Sequence, residues 1–363
     1  MNNSSEAIQD ECLVYILWGG KMKNPSLGAQ VVFVVNIIIN VFTFPFTAFL
    51  NALVMFAVKT KRRLRAHKSN IAIALLATTD FTVGILIQPA TVAWLVVILI
   101  NYKTEICPFF FLKYIRLLMG SLLDVSLAHV AMISLERYIA VKHPFAYTFV
   151  ITETKLLISS AVAWTFSLII HILWYYTFTV YMSVFLSITN AFKCFCIVVI
   201  VWCNVIVYRE TLRHKQQIAN HQVTQEIREK FLKDKKAFKV TTQIVIVLFL
   251  CYLPTIISRI ILDKYIPENG ISLDTTYIVI FSSGSVVLLN SVINPILYSI
   301  KIREFRVAFI EILCKTANLA KAEEIEMRFF KSPNVVARLE AEYAQGAEEL
   351  NWSNQETEQP IGN

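Results

Sequence analysis

Charge is scarce in this chain. Only 17% of its 363 residues are Asp, Glu, Lys or Arg, against 56% hydrophobic residues, and the mean hydropathy is +0.56. A soluble domain of this length normally carries about a quarter charged residues, so a large water-soluble helical protein is a poor fit. Glycine is scarce as well, nine in all, and none lies in a phosphate-cradling loop. No nucleophile–base pair and no metal-ligand spacing stands beside them, which leaves no grounds for an enzyme. Met1–Glu11 is polar and has no apolar core of the kind a cleavable leader needs. The first apolar run is therefore expected to act as the insertion signal.

The long apolar runs are what the chain does have. Seven are long enough to cross a hydrocarbon core of about 30 Å as helices: about Val31–Val58, Asn70–Val97, Cys107–Val141, Leu156–Tyr176, Val184–Tyr208, Ala237–Leu262 and Thr275–Ile300. Backbone groups in lipid must pair within the segment, which selects helices. The expected fold is all-α, a seven-helix membrane bundle. The net charge of +8 collects at one set of segment ends. Lys59–Lys68 holds six Lys or Arg in ten residues, and others flank the fifth, sixth and seventh runs. By the positive-inside rule the N-terminus is expected outside the cell and the C-terminus inside. These basic ends suit lipid headgroups and lack a groove-reading element, so nucleic acid is not an expected partner.

The organisation expected is an outer tail over 1–29, a membrane domain over 30–301, a juxtamembrane helix over 302–315 and a mobile inner tail over 316–363. In Glu304–Cys314, Phe305, Ala308, Phe309 and Leu313 recur at helical spacing, so this segment should lie along the inner leaflet. Cys314 is then a candidate for S-palmitoylation. Beyond Ala317 nine acidic residues face four basic ones with little apolar periodicity. Asn2 and Asn3 each begin a glycosylation sequon. Of the seven cysteines only Cys12 and Cys107 are expected on the oxidising side. Their bridge is one alternative and two free thiols the other.

Two strings stand out because they place ionisable or helix-breaking groups inside apolar runs, where such groups are rare and functional by default. They are Glu136-Arg137-Tyr138 and Asn294-Pro295-Ile296-Leu297-Tyr298. With Asn51, Asp80, Trp164 and Pro254, in this order and spacing, the chain resembles the rhodopsin-type receptor family from Asn51 to Cys314. Within that family its pattern leans to the melanocortin, adenosine, cannabinoid and lipid-receptor branch. The four-to-five loop, near Thr177–Ser183, has no cysteine, the fifth run has Ile200 in place of the family proline, and Ala90 stands where melanocortin receptors carry an acid.

The resemblance implies a receptor that carries an extracellular signal to a heterotrimeric G protein from the plasma membrane. Arg137 is then held by Glu136 and Asp234 until the sixth helix moves, and Tyr208 and Tyr298 close around it afterwards. Tyr138, Pro144 and Phe145 belong to the surface that meets the G protein, and Pro295 supplies a kink. Asp80, Ser126, Asn290, Ser291 and Asn294 match a cluster that holds an allosteric sodium ion in relatives. A water-filled polar network is the other reading of these oxygens, and no cofactor is required.

Ligand chemistry is less specified. Amine receptors carry an acid where this chain has Met119, and light receptors a lysine where it has Leu288. Asp124 is an intramembrane acid in need of a partner. Arg116 and Arg259 suit either an anionic ligand or headgroups. Tyr252 replaces the family's usual tryptophan. The ligand can be a small molecule, a lipid or a peptide. A seven-helix protein that pairs with other receptors without signalling, and a transporter, are the competing classes. No self-similar halves favour the transporter.

Overall fold

The computed structural model describes residues 25–101, 109–220, 238–258, 273–314 and 319–330. They fall into two units, Met1–Ile302 and Arg303–Asn363. Among the described residues, seven helices are long and apolar enough to cross a membrane: Leu27–Thr60, Lys68–Ile100, Leu117–Lys142, Glu153–Leu173, Ile188–Arg213, Phe238–Ser258 and Ile278–Lys301. They are called here the first to seventh spans.

The spans are inside-out relative to a soluble bundle. On the first span Val31, Val34, Val35, Ile38, Phe42 and Phe46 are exposed, while Asn36, Asn40, Thr47 and Asn51 are buried. Asn36, Asn40, Thr43, Thr47 and Asn51 recur at steps of three or four and form one polar stripe. Each hydrogen-bonds the carbonyl four residues earlier, so little polarity meets lipid. The stripe also reaches outward. Asn40 Nδ2 donates to Ser285 Oγ at 3.1 Å, Gln88 Nε2 donates to Thr43 Oγ1 at 2.9 Å, and Asn51 Nδ2 donates to the Ser291 carbonyl at 2.9 Å. Membrane interhelix bonds of this kind contribute about 0.6 kcal/mol each. Together they tie the first span to the second and seventh.

The second span changes pitch at Val83–Ile87, a π-helical turn. Such turns re-aim the residues around them. Gly84 sits in this turn, against the first span's backbone at Ala48. The third span is the most buried of the seven and is gripped by the fourth and fifth.

The backbone is helical from Glu153 to Asn220, through the segment expected to be the four-to-five loop. Its side-chain bonds nevertheless require a reversal. Ser167 Oγ donates to the Ser121 carbonyl (3.1 Å), and Ser160 pairs with His129 (2.8 Å). One partner number falls as the other rises, so the fourth span is antiparallel to the third. Lys193 meets Asp124 and Asn204 meets Ser134. Here the numbers rise together, so the fifth span is parallel to the third. The chain therefore turns back between Leu173 and Ile188 with no extended linker. The aromatic and aliphatic core includes Phe33, Trp94 and Phe281 at one end and Ile71, Ile151 and Leu156 at the other.

In the second unit, Arg303–Leu313 is a helix, as expected. Leu319–Phe330 is a second helix, a correction to the expected mobile tail. Its Leu, Ala, Lys, Glu, Met and Arg residues are strong helix formers. Arg306 donates to Glu326 Oε1 (2.9 and 2.6 Å) and Arg303 to Oε2 (3.2 Å). Burial pushes the Glu326 carboxyl up, but the Arg306 and Arg303 hydrogen bonds outweigh it and hold that carboxyl below the ordinary carboxylate range.

Candidate functional site

Three polar clusters lie along the third span, each at a place where an apolar core would otherwise continue. The first surrounds Asp80, which is buried on the second span. The seventh span supplies its donors: Ser291 Oγ to Oδ1 at 2.7 Å and Asn294 Nδ2 to Oδ2 at 2.9 Å. Pro295 is inside the seventh helix and cannot donate a backbone bond; its carbonyl accepts instead from Ser299 Oγ at 2.6 Å. Ser126 Oγ, Asn290 Oδ1 and Asn294 Oδ1 are buried oxygens with no hydrogen-bond partner among the described residues. A carboxylate with spare hydroxyl and amide oxygens is the donor set of a hard cation such as sodium.

The second cluster is at the far end of the third span. Glu136 is almost fully buried, and Arg137 Nε lies 3.1 Å from its Oε2. Tyr147 donates its hydroxyl to Glu136 Oε1 at 2.6 Å. Tyr147 belongs to a short helix, Pro144–Val150, begun by a proline at its first turn, where the missing N–H costs nothing. This helix turns Tyr147 inward and leaves Phe145 93% exposed and Phe149 78% exposed. Tyr138 packs against Trp202 of the fifth span (ring centroids 4.9 Å) and His143 (5.8 Å). Lys142 is ion-paired with Glu210, which Arg213 also approaches at 3.4 Å. Tyr208 is exposed beside Phe238, and Tyr298 is fully buried.

The third cluster surrounds Asp124. Lys193 Nζ lies 3.3 Å from Oδ1 and His171 Nε2 lies 3.8 Å from Oδ2. Tyr252 donates its hydroxyl to the Leu123 carbonyl at 3.1 Å, a bond that a tryptophan would not make in the same way. Met119, Trp164 and Leu288 pack in one apolar cluster with Val83, Ile87 and Leu122. Leu288 is only 2% exposed there, packed between spans.

The structure brings Asp80, Ser291 and Asn294 together, and Glu136 with Arg137. Asp234 and Arg259 lie outside the described residues, as do Cys12, Cys107, Asn2 and Asn3; the side chain of Arg116 is not described either. Cys314 follows the juxtamembrane helix and is exposed. Lys193, His171, Tyr147 and His129 are partners that sequence reasoning did not single out. His129 bridges Thr79 (3.0 Å) and Ser160 (2.8 Å). The first, second and last carried a usable signal, since each is a polar or ionisable residue inside an apolar run. Tyr147 carried none.

A bundle of seven membrane spans, with a restrained arginine at one end and a buried carboxylate at its middle, defines a seven-helix receptor. Residues 50–298 match the family described as 7 transmembrane receptor (rhodopsin family), and the chain belongs to it. It is similar to the histamine H2 receptor of Rattus norvegicus, 24% identical over 74% of this chain and 76% of that one. The histamine H2 receptor of Cavia porcellus is 24% identical over 86% of this chain and 89% of its own. The D(1B) dopamine receptor of Mus musculus is 32% identical over 33% of this chain and 24% of its own. The chain is a G-protein-coupled receptor, spans the membrane several times and is not an enzyme. The melanocortin, adenosine, cannabinoid or lipid branch is not established by these relatives.

Proposed function

We propose that an extracellular ligand, bound between the halves of the spans remote from Arg137, shifts the bundle so that Arg137 leaves Glu136 and engages a heterotrimeric G protein at the plasma membrane. The N-terminus faces outside and the C-terminus the cytosol, as the charge asymmetry favours. The observation that carries this reading is the Glu136 carboxylate, buried and shared by Arg137 and Tyr147. An Arg–carboxylate contact of this kind is strong yet releasable to a better acceptor. Phe145 and Phe149, one turn apart and exposed, supply an apolar contact for the G protein beside it.

Asp80, Ser126, Asn290, Ser291 and Asn294 would hold a sodium ion, whose charge would offset the buried carboxylate. The buried oxygens of Ser126, Asn290 and Asn294 that lack a partner among the described residues suit either this ion or the water-filled polar network that is its alternative. The relatives' names point to amines as ligands of those proteins. For this chain Met119 argues otherwise: a methyl at Gly284 would lie 3.6 Å from its Cε, so a thioether and not an acid faces the seventh span. The ligand class here stays a small molecule, a lipid or a peptide.

The test is nucleotide exchange on a G-protein panel by the receptor in lipid nanodiscs, without ligand and with a ligand library. The expected result is exchange that Arg137→Ala removes. No exchange on any G protein under any stimulus, from a protein shown to be folded, would favour a non-signalling partner of other receptors.

A further inference from the structure

Asp124 has an occupant that comes from its own chain. The carboxylate is 2% exposed, deep in the most buried span. The fifth span brings the ammonium of Lys193 to 3.3 Å from Oδ1. The fourth span brings the imidazole of His171 to 3.8 Å from Oδ2, its Nδ1 donating to the Ser167 carbonyl at 2.9 Å. Space has been cleared for this arrangement. A Cβ on Gly120 would come within 2.4 Å of His171 Nε2 and 2.6 Å of its Cδ2, so any larger residue would push the imidazole away. Met119, one helical position earlier, is apolar, and its Cε would lie 3.6 Å from a Cβ on Gly284 of the seventh span.

A carboxylate in lipid is costly unless a cation meets it. A diffusible amine is one source of that cation. Lys193 is another, and it is tethered at high effective concentration.

We propose that Asp124 is a primary-ammonium binding site whose resident ligand is the Lys193 side chain, a tethered amine that ties the third span to the fifth. This goes beyond the receptor reading in naming what fills the site, and it rests on that reading only for its signalling arm. Free monoamines do not activate the unmodified protein, because the acid is already paired. Shortening the lysine opens the site to them.

The test replaces the tether with a free amine. Lys193→Ala removes three methylene groups and the ammonium, which n-propylammonium replaces atom for atom. Thermal unfolding of the full-length receptor in nanodiscs is read against propylammonium, propanol and sodium chloride. The expected result is a lowered midpoint for Lys193→Ala, restored by millimolar propylammonium and by neither control. Neither Lys193→Ala/Asp124→Asn nor the unmodified chain should respond to the amine. Equal responses with and without Asp124, or none in Lys193→Ala, would overturn the proposal. If Lys193→Ala does not fold, Lys193→Arg is expected to match the unmodified midpoint and Lys193→Met to fall below it; equal midpoints would overturn it as well. In the signalling arm, basal nucleotide exchange of Lys193→Ala is expected to depart from the unmodified rate and return to it with propylammonium. An amine that restores the midpoint but leaves exchange untouched would leave the site standing and refute its part in signalling.

Discussion

Replacing Gly84 by alanine tests how closely the first and second spans approach. Inside a helix, glycine to alanine is worth about 1 kcal/mol in favour of alanine when nothing is in the way. At Gly84 something is. The new Cβ would lie 2.8 Å from Ala48 N, 3.2 Å from Ala48 Cα and 3.1 Å from Thr47 Cγ2. Ordinary contact between such atoms begins at about 3.5 Å, so one backbone must recede by roughly 0.7 Å. No side chain can swing aside to relieve a clash with backbone. Overpacking of this kind costs about 1–3 kcal/mol, and the shift also strains Gln88, whose bond to Thr43 crosses the same interface. A net loss of about 2 kcal/mol is expected. Gly28 and Gly284 supply the contrast: their added methyl groups meet Ser26 Oγ at 3.8 Å and Met119 Cε at 3.6 Å. Both alanine variants should be neutral or stabilising by up to about 1 kcal/mol. The assay is thermal unfolding in nanodiscs across the series. Gly84→Ala unfolding at or above the temperature of Gly284→Ala would refute the close approach.

Other outcomes follow from the same contacts. Tyr147→Phe removes the donor to Glu136 Oε1 and should raise ligand-free nucleotide exchange several-fold; an unchanged basal rate would show that this bond does not restrain Arg137. Asp80→Asn should abolish any stabilisation by sodium chloride over choline chloride, and equal salt responses in both proteins would remove the ion site. His129→Phe leaves Thr79 and Ser160 without their shared partner, a loss of about 1–3 kcal/mol by thermal unfolding. The Glu326 carboxyl is held low by its two arginines, so its pairing contributes fully above the unfolded glutamate pKa of about 4.3. It is lost as pH falls through the lower folded value. Pulsed electron resonance between labels on Glu304 and Lys321 should therefore report one distance at neutral pH and a broadened set once acidification protonates Glu326, below the ordinary glutamate range. Glu326→Gln should show the broadened set already at neutral pH.

Much of the fold was legible because lipid imposes a simple rule. Runs such as Val31–Val58 must be helical to satisfy their backbones, and the structure extends that run only to Leu27–Thr60. The first span's polar stripe was legible in principle, since Asn36, Asn40, Thr43, Thr47 and Asn51 follow helical steps. The reversal near Thr177–Ser183 was legible from the gap between the fourth and fifth runs, but its helical backbone was not. Within the site, Asp80 with Ser291 and Asn294 was readable from motif order. The Asp124–Lys193 pair spans 69 residues of chain and depends on how the third and fifth spans are set in register. Periodicity within either span says nothing of that register. The tail helix was missed because its strong helix formers were set aside for want of apolar periodicity, and because Glu326 reaching arginines on another helix is not visible locally.

The most direct measurement is the distance between the Arg137 end of the third span and the start of the sixth, with spin labels on Val141 and Lys239, before and after a nucleotide-free G protein is added. If release of Arg137 is the event that couples ligand to G protein, the distance lengthens by several ångströms and Arg137→Ala loses the change. An unaltered distance, with the G protein demonstrably bound, would contradict it.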